Sequence, residues 1–109
     1  MALTLWHNPR CSTSRRAVEL LQAAGAEIQI RLYLQDPPSR AELTALGLPA
    51  AQLLRRKDAP EAADYSAAQI FDLLAAEPRL IERPILLSPR SAAIGRPPEA
   101  LLKLLEKPL

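Results

Sequence analysis

The chain has 109 residues, 49% of them apolar and 24% charged, which suits one soluble domain with a modest core. A net charge of +2 is only mildly basic, with no run of five like charges and few aromatic residues, so a nucleic-acid surface is not indicated. No apolar run is long enough to cross a bilayer and no secretory leader is evident, so no membrane association and a cytoplasmic location are expected. In chain order, Leu3-Thr4-Leu5-Trp6 predicts a first strand built around Leu3 and Leu5. A stretch from about Thr13 to Ala24 predicts a helix with Ala17, Val18, Leu21 and Ala24 on one face, stopped by Gly25. Ile28, Ile30, Leu32 and Leu34 then alternate with Gln29, Arg31 and Tyr33. That spacing predicts a half-buried strand, paired parallel to the first through the intervening helix.

Asp36-Pro37-Pro38 breaks this strand. Ser39-Arg40-Ala41-Glu42 reads as a capping box for a short helix to Leu46, ended by Gly47. A second short helix is expected from Ala50 to Arg56, with Pro49 near its start. Ser66-Ala67-Ala68-Gln69 is another capping box, opening a helix that turns Ile70, Phe71 and Leu74 inward until Pro78. Ile85-Leu86-Leu87 and a weaker Ala92–Gly95 predict two strands joined by a turn at Pro89-Arg90-Ser91. A last helix from about Pro98 to Glu106 is expected to pack Leu101, Leu102 and Leu105. Strand, helix, strand, a helical middle, two strands and a helix match an α/β, thioredoxin-like fold with an inserted helical segment.

Cys11 is the only cysteine. An internal disulfide is therefore impossible, which fits a reducing compartment. The residue falls where the first strand runs into a helix. Unpaired N–H groups and the helix dipole at such a point favour a thiolate and attract a bound anion. The plain alternative is a buried, inert cysteine, and the polar, basic loop around Cys11 argues against it. Eleven of the fourteen basic residues are arginine, whose planar fork suits oxyanions, so arginine position becomes informative. One cysteine and one histidine four residues apart cannot complete a zinc site. No phosphate loop or dinucleotide fingerprint is present, so no metal or bound cofactor is expected.

His7-Asn8-Pro9-Arg10-Cys11-Ser12-Thr13-Ser14-Arg15 resembles the active-site loop of the glutaredoxin-dependent arsenate reductases, the ArsC family. Leu32-Tyr33-Leu34 with Pro37-Pro38-Ser39-Arg40, Leu53-Leu54-Arg55, Ile81-Glu82-Arg83-Pro84-Ile85 and Ile94-Gly95-Arg96-Pro97-Pro98-Glu99 resemble its later blocks, in the family's order. The last two are most similar to a short branch of the family. The resemblance implies a single domain over residues 1–109, with a four-stranded mixed sheet flanked by helices and a helical insertion at about 39–77. It implies Cys11 as nucleophile, His7 favouring its thiolate and Ser14 hydrogen-bonding the sulfur. Arg15 would help define the anion-binding turn, and Arg55, Arg83 and Arg96 would grip arsenate. A one-residue shift would exchange Arg55 for Arg56. Pro84 corresponds to the fold's cis-proline.

Ser14 stands where thioredoxin-like redox proteins commonly carry a second cysteine, so an external thiol must complete any cycle. In the family that thiol is glutathione, regenerated through glutaredoxin. Two further readings stay open: a glutathione-linked thiol-disulfide reductase with another substrate, and a protein-binding regulator related to the Spx proteins. The insertion between about Leu43 and Ser66 and the C-terminal tail are shorter than in typical members, which bears on substrate more than on fold.

Overall fold

The computed structural model describes residues 3–105. Four strands form one sheet, in the order β2-β1-β3-β4. β1 (Leu3–Trp6) pairs parallel with β2 (Ile28–Arg31) and antiparallel with β3 (Ile85–Leu87), which pairs antiparallel with β4 (Ala92–Ile94). Alternation along β1 sends side chains to two cores, one on each face of the sheet. Leu3 and Leu5 join Ala17, Leu21, Leu86, Leu101 and Leu104 in one. Trp6 joins Tyr33, Leu43, Leu53, Leu54, Ile70, Leu74, Leu80, Ile81 and Ile85 in the other.

The first core is closed by α1 (Ser12–Ala23), which buries Ala17 and Leu21 at helical spacing and ends before Gly25, where φ is +79°. Ala24, expected on the inner face, lies past the helix end and is exposed. The second core is covered by α2 (Arg40–Ala45), α3 (Ala50–Leu53) and α4 (Ala67–Ala76), all between β2 and β3. Capping boxes at Ser39/Glu42 and Ser66/Gln69 open α2 and α4, each satisfying two backbone donors reciprocally. Arg31 leans on Trp6, 5.4 Å from the ring centroid, and pairs with Glu42, tying the β2 end to α2.

Three expectations are corrected. The second strand stops at Arg31, because Leu32 O accepts from both Gln35 N and Asp36 N and turns the chain. Beyond it the alternation reverses, with Tyr33 fully buried and Leu34 46% exposed, and within β2 itself Ile30 is 44% exposed. The second short helix ends at Leu53 instead of Arg56. Leu54 is extended and forms an isolated antiparallel bridge with Ile81, closed by Arg55 N to Leu80 O at 2.8 Å and Glu82 N to Leu53 O at 2.7 Å. The last helix begins as a 3₁₀ turn over Pro98–Leu101 before α5 (Leu102–Leu105). That change of pitch buries Leu101 and Leu104, leaving Leu102 and Leu105 half-covered. Glu106 lies outside the described residues.

The Arg83–Pro84 and Arg96–Pro97 peptides are both cis. Gly95 passes so close to the first of these that a Cβ would stand 2.8 Å from Pro84 Cγ and 2.9 Å from Leu101 Cδ1. Gly95→Ala is expected to destabilise the protein by about 1–3 kcal/mol, since both neighbours are buried side chains that must shift to admit the methyl. Thermal melts of the two proteins check this, and an unchanged midpoint would show that the contact relaxes freely.

Candidate active site

The loop from His7 to Cys11 leaves the end of β1 and turns directly into α1. Its shape is set by local hydrogen bonds: His7 N to Arg31 O at 2.9 Å, Arg10 N to Asn8 Oδ1 at 3.0 Å and Cys11 N to Asn8 O at 3.0 Å. Cys11 is the N-cap of α1, with extended backbone and a partly exposed side chain. Its side chain makes no capping hydrogen bond, and the sulfur lies in the field of the first-turn N–H groups at the helix start. Burial pushes the thiol up. The N–H groups of Ser14 and Thr13, then the charges of Arg96 and Arg83, outweigh it and hold Cys11 below the ordinary cysteine value.

Arg96, just after β4, reaches across the sheet end and places Nη2 3.7 Å from Cys11 Sγ. Its Nε donates to Arg83 O at 2.9 Å and lies 3.5 Å from Glu82 Oε2. The Arg83 guanidinium is pinned by Nη1 donating to Ile81 O at 3.0 Å and Arg79 O at 3.2 Å. Its Nε is buried without a hydrogen-bond partner among the described residues. Arg55 stands on the neighbouring bridge, with Nε bonded to Asp58 Oδ2 at 2.7 Å and Nη1 3.8 Å from Glu82 Oε1. Arg56, the competing assignment, is exposed in the following 3₁₀ turn.

Ser14 is fully buried. Its Oγ accepts from Asn8 N at 3.0 Å and shares a 2.7 Å hydrogen bond with His7 Nδ1. The Ser14 hydroxyl is thus engaged by His7 and Asn8, and Ser14 acts on the sulfur through its backbone N–H, which favours the thiolate. Burial and, second, the Arg15 charge hold the His7 ring below its ordinary value, which favours the neutral imidazole. The Arg15 guanidinium braces the loop from outside, donating to Pro9 O at 2.9 Å. A groove of about 240 Å³ lined by His7, Asn8, Pro9, Arg10, Leu32, Leu34 and Gln35 runs beside the loop. Among the described residues, no cluster of three His, Cys, Asp or Glu side chains is placed to hold a metal ion. No described helix is long and apolar enough to cross a membrane.

The sequence model of the ArsC family matches residues 6–104. The chain belongs to the ArsC family. It is 38% identical to an Escherichia coli protein named arsenate reductase, across 95% of this chain and 81% of that one. It is equally identical, at 38%, to a Haemophilus influenzae protein of the same name, across 96% of this chain and 100% of the relative. The solved arsenate reductase from Vibrio cholerae superposes with a TM-score of 0.84 at 35% identity, covering 94% of this chain and 97% of that one. The fold is thioredoxin-like.

Within this ArsC protein the fold thus gathers Cys11, Arg55, Arg83 and Arg96 from four separated segments. Two residues of the site were not singled out from sequence. Glu82 joins Arg55 to Arg96, and an acidic residue beside an arginine carries no signal of that role by itself. Tyr33 is fully buried and its Oη finds no hydrogen-bond partner among the described residues. Burial drives its phenol above the ordinary value, although the Arg83 charge opposes this. Tyr33→Phe is expected to raise stability by about 1 kcal/mol, because it removes a buried hydroxyl that lacks a partner. Urea unfolding measures this, and a loss of stability would mean that the hydroxyl is bonded in solution.

Proposed function

We propose that this chain is an arsenate reductase that uses Cys11 as its nucleophile and glutathione with glutaredoxin as its source of further thiols. The observation that carries the reading is a single cysteine at a helix N-terminus, held below its ordinary pKa, with an arginine Nη 3.7 Å from its sulfur. The names of the E. coli, H. influenzae and V. cholerae relatives support the substrate.

In this mechanism the Cys11 thiolate attacks arsenic, forming an S–As bond while an oxygen departs as water. Arg96 lies beside the sulfur and donates to the oxygens as charge develops on them, with Arg83 and Arg55 completing the anion's surroundings. No second thiol of this chain can reduce the adduct. Glutathione therefore displaces an arsenic hydroxyl, which takes the thiol proton and leaves as water, and binds arsenic through sulfur. A glutaredoxin thiolate then attacks that glutathione sulfur, and the S–As electron pair passes to arsenic. Arsenic is reduced from As(V) to As(III), and the oxidation leaves as a glutathione–glutaredoxin disulfide. Water releases arsenite from Cys11.

The test is NADPH oxidation in an assay with glutathione, glutathione reductase, glutaredoxin and the protein, with arsenate added or omitted. Arsenate-dependent oxidation with arsenite as product supports the proposal. Failure with arsenate, together with reduction of a glutathione mixed disulfide, would make the chain a thiol-disulfide reductase. Silence on both would favour a binding module.

A further inference from the structure

We propose that Glu82 is a positioning residue that sets how strongly the Cys11 face holds anions. Its carboxylate spans two arginines, with Oε1 3.8 Å from Arg55 Nη1 and Oε2 3.5 Å from Arg96 Nε. The other edge of Arg96 faces Cys11 Sγ at 3.7 Å, so Glu82 acts through this guanidinium on whatever binds at the sulfur. The side chains of Glu82, Arg55 and Arg96 are 20%, 17% and 32% exposed, which leaves their interaction only partly screened. The inference rests on reading this face as an oxyanion site.

Of the three guanidinium groups around the site, Arg55 pairs with Asp58 and Glu82, and Arg96 with Glu82. With Cys11 ionised for attack, three positive charges then face three negative ones. Asp58 is the outer partner, 40% exposed and bonded to Arg55 alone. Glu82 is the inner one, touching both arginines. Without its charge the site would carry an uncompensated positive charge and would be filled by phosphate and sulfate, which share arsenate's tetrahedral shape. Glu82 keeps binding of all such dianions weak. Discrimination then falls to the covalent step, because arsenate exchanges its oxygens for sulfur readily and phosphate and sulfate do not.

The experiment is protection of Cys11 from iodoacetamide, a neutral alkylating agent, by sulfate and by perchlorate. These anions share a shape and differ in charge. In Glu82→Gln the sulfate concentration for half-protection is expected to fall about tenfold, and that for perchlorate about threefold. Removing one negative charge helps a dianion twice as much in free energy as a monoanion. Unchanged or weaker protection would overturn the proposal, and so would equal gains for both anions. Should Glu82→Gln fail to fold, the Glu82 carboxyl carbon resonance is followed in the Cys11→Ser protein as sulfate is added. A shift is expected as the arginines turn to the anion, and a resonance that stays in place overturns the role. Arsenate turnover measured alongside separates the two readings. Intact, charge-dependent protection without turnover would sink the reductase reading alone. Turnover without any change in Glu82→Gln protection would sink only the role of Glu82.

Discussion

Cys11→Ser is expected to lower arsenate turnover in the coupled assay by about a thousandfold or more, to the rate without protein. Serine keeps nearly the same volume at the N-cap and is a good capping residue, so the fold should survive. The loss would then be chemical: a hydroxyl is not ionised near neutral pH and cannot present a sulfur to arsenic. Circular dichroism and a thermal melt verify the fold, and release of arsenite measures the chemistry. Retained turnover in a folded Cys11→Ser protein would remove Cys11 from the mechanism.

Arg96→Gln should lower kcat/KM for arsenate by roughly a hundredfold or more, the scale found when one donor to a developing oxyanion is lost. It should also change the pH dependence in a defined direction. The Arg96 charge is one of the influences holding the Cys11 thiol low, so its removal raises that pKa. The acid limb of the rate profile, where rate grows as thiolate forms, then moves to higher pH. Thiolate absorbance in the ultraviolet should move with it. Arg96→Lys separates the two contributions. Lysine keeps the charge, so the thiolate should titrate near the wild-type pH, but it loses the planar fork and with it the grip on the anion. If Arg96→Gln leaves both the titration and kcat/KM unchanged, the contact with Cys11 has no functional weight.

The parts of the fold governed by local chemistry were legible in the residues. Both capping boxes open helices at Ser39 and Ser66, and the apolar runs Leu3–Trp6 and Ile85–Leu87 form strands as read. The second strand was overextended because Leu32 and Leu34 continue its spacing, whereas the turn at Leu32 is fixed by two hydrogen bonds to a carbonyl and has no glycine to announce it. Likewise Leu53-Leu54-Arg55-Arg56 has nothing unfavourable to a helix. It is the tertiary bridge to Ile81 that pulls Leu54 straight and releases Arg55.

The site divides along the same line. Cys11 beside a predicted helix start could be reasoned from the chain, because its environment is built within a few residues. Residues 55, 83 and 96 are too far apart for spacing to bring them together, and only resemblance pointed to their convergence. Glu82 and Tyr33 depend on which neighbours the fold supplies, a fact that neither periodicity nor composition encodes.

The short bridge between Leu54 and Ile81 also governs where the chain can change in length. Residues 56–79 leave and return through that one clasp, and its two backbone hydrogen bonds hold Arg55 and Glu82 side by side. On the far side Ala59 and Ala62 are buried in the same core as Leu54 and Ile81, so the helical cover packs back onto the clasp. A single residue inserted between Leu53 and Arg55 would shift the register and turn the arginine away. In this chain the crossing thus fixes a register that the helical cover on its far side does not set.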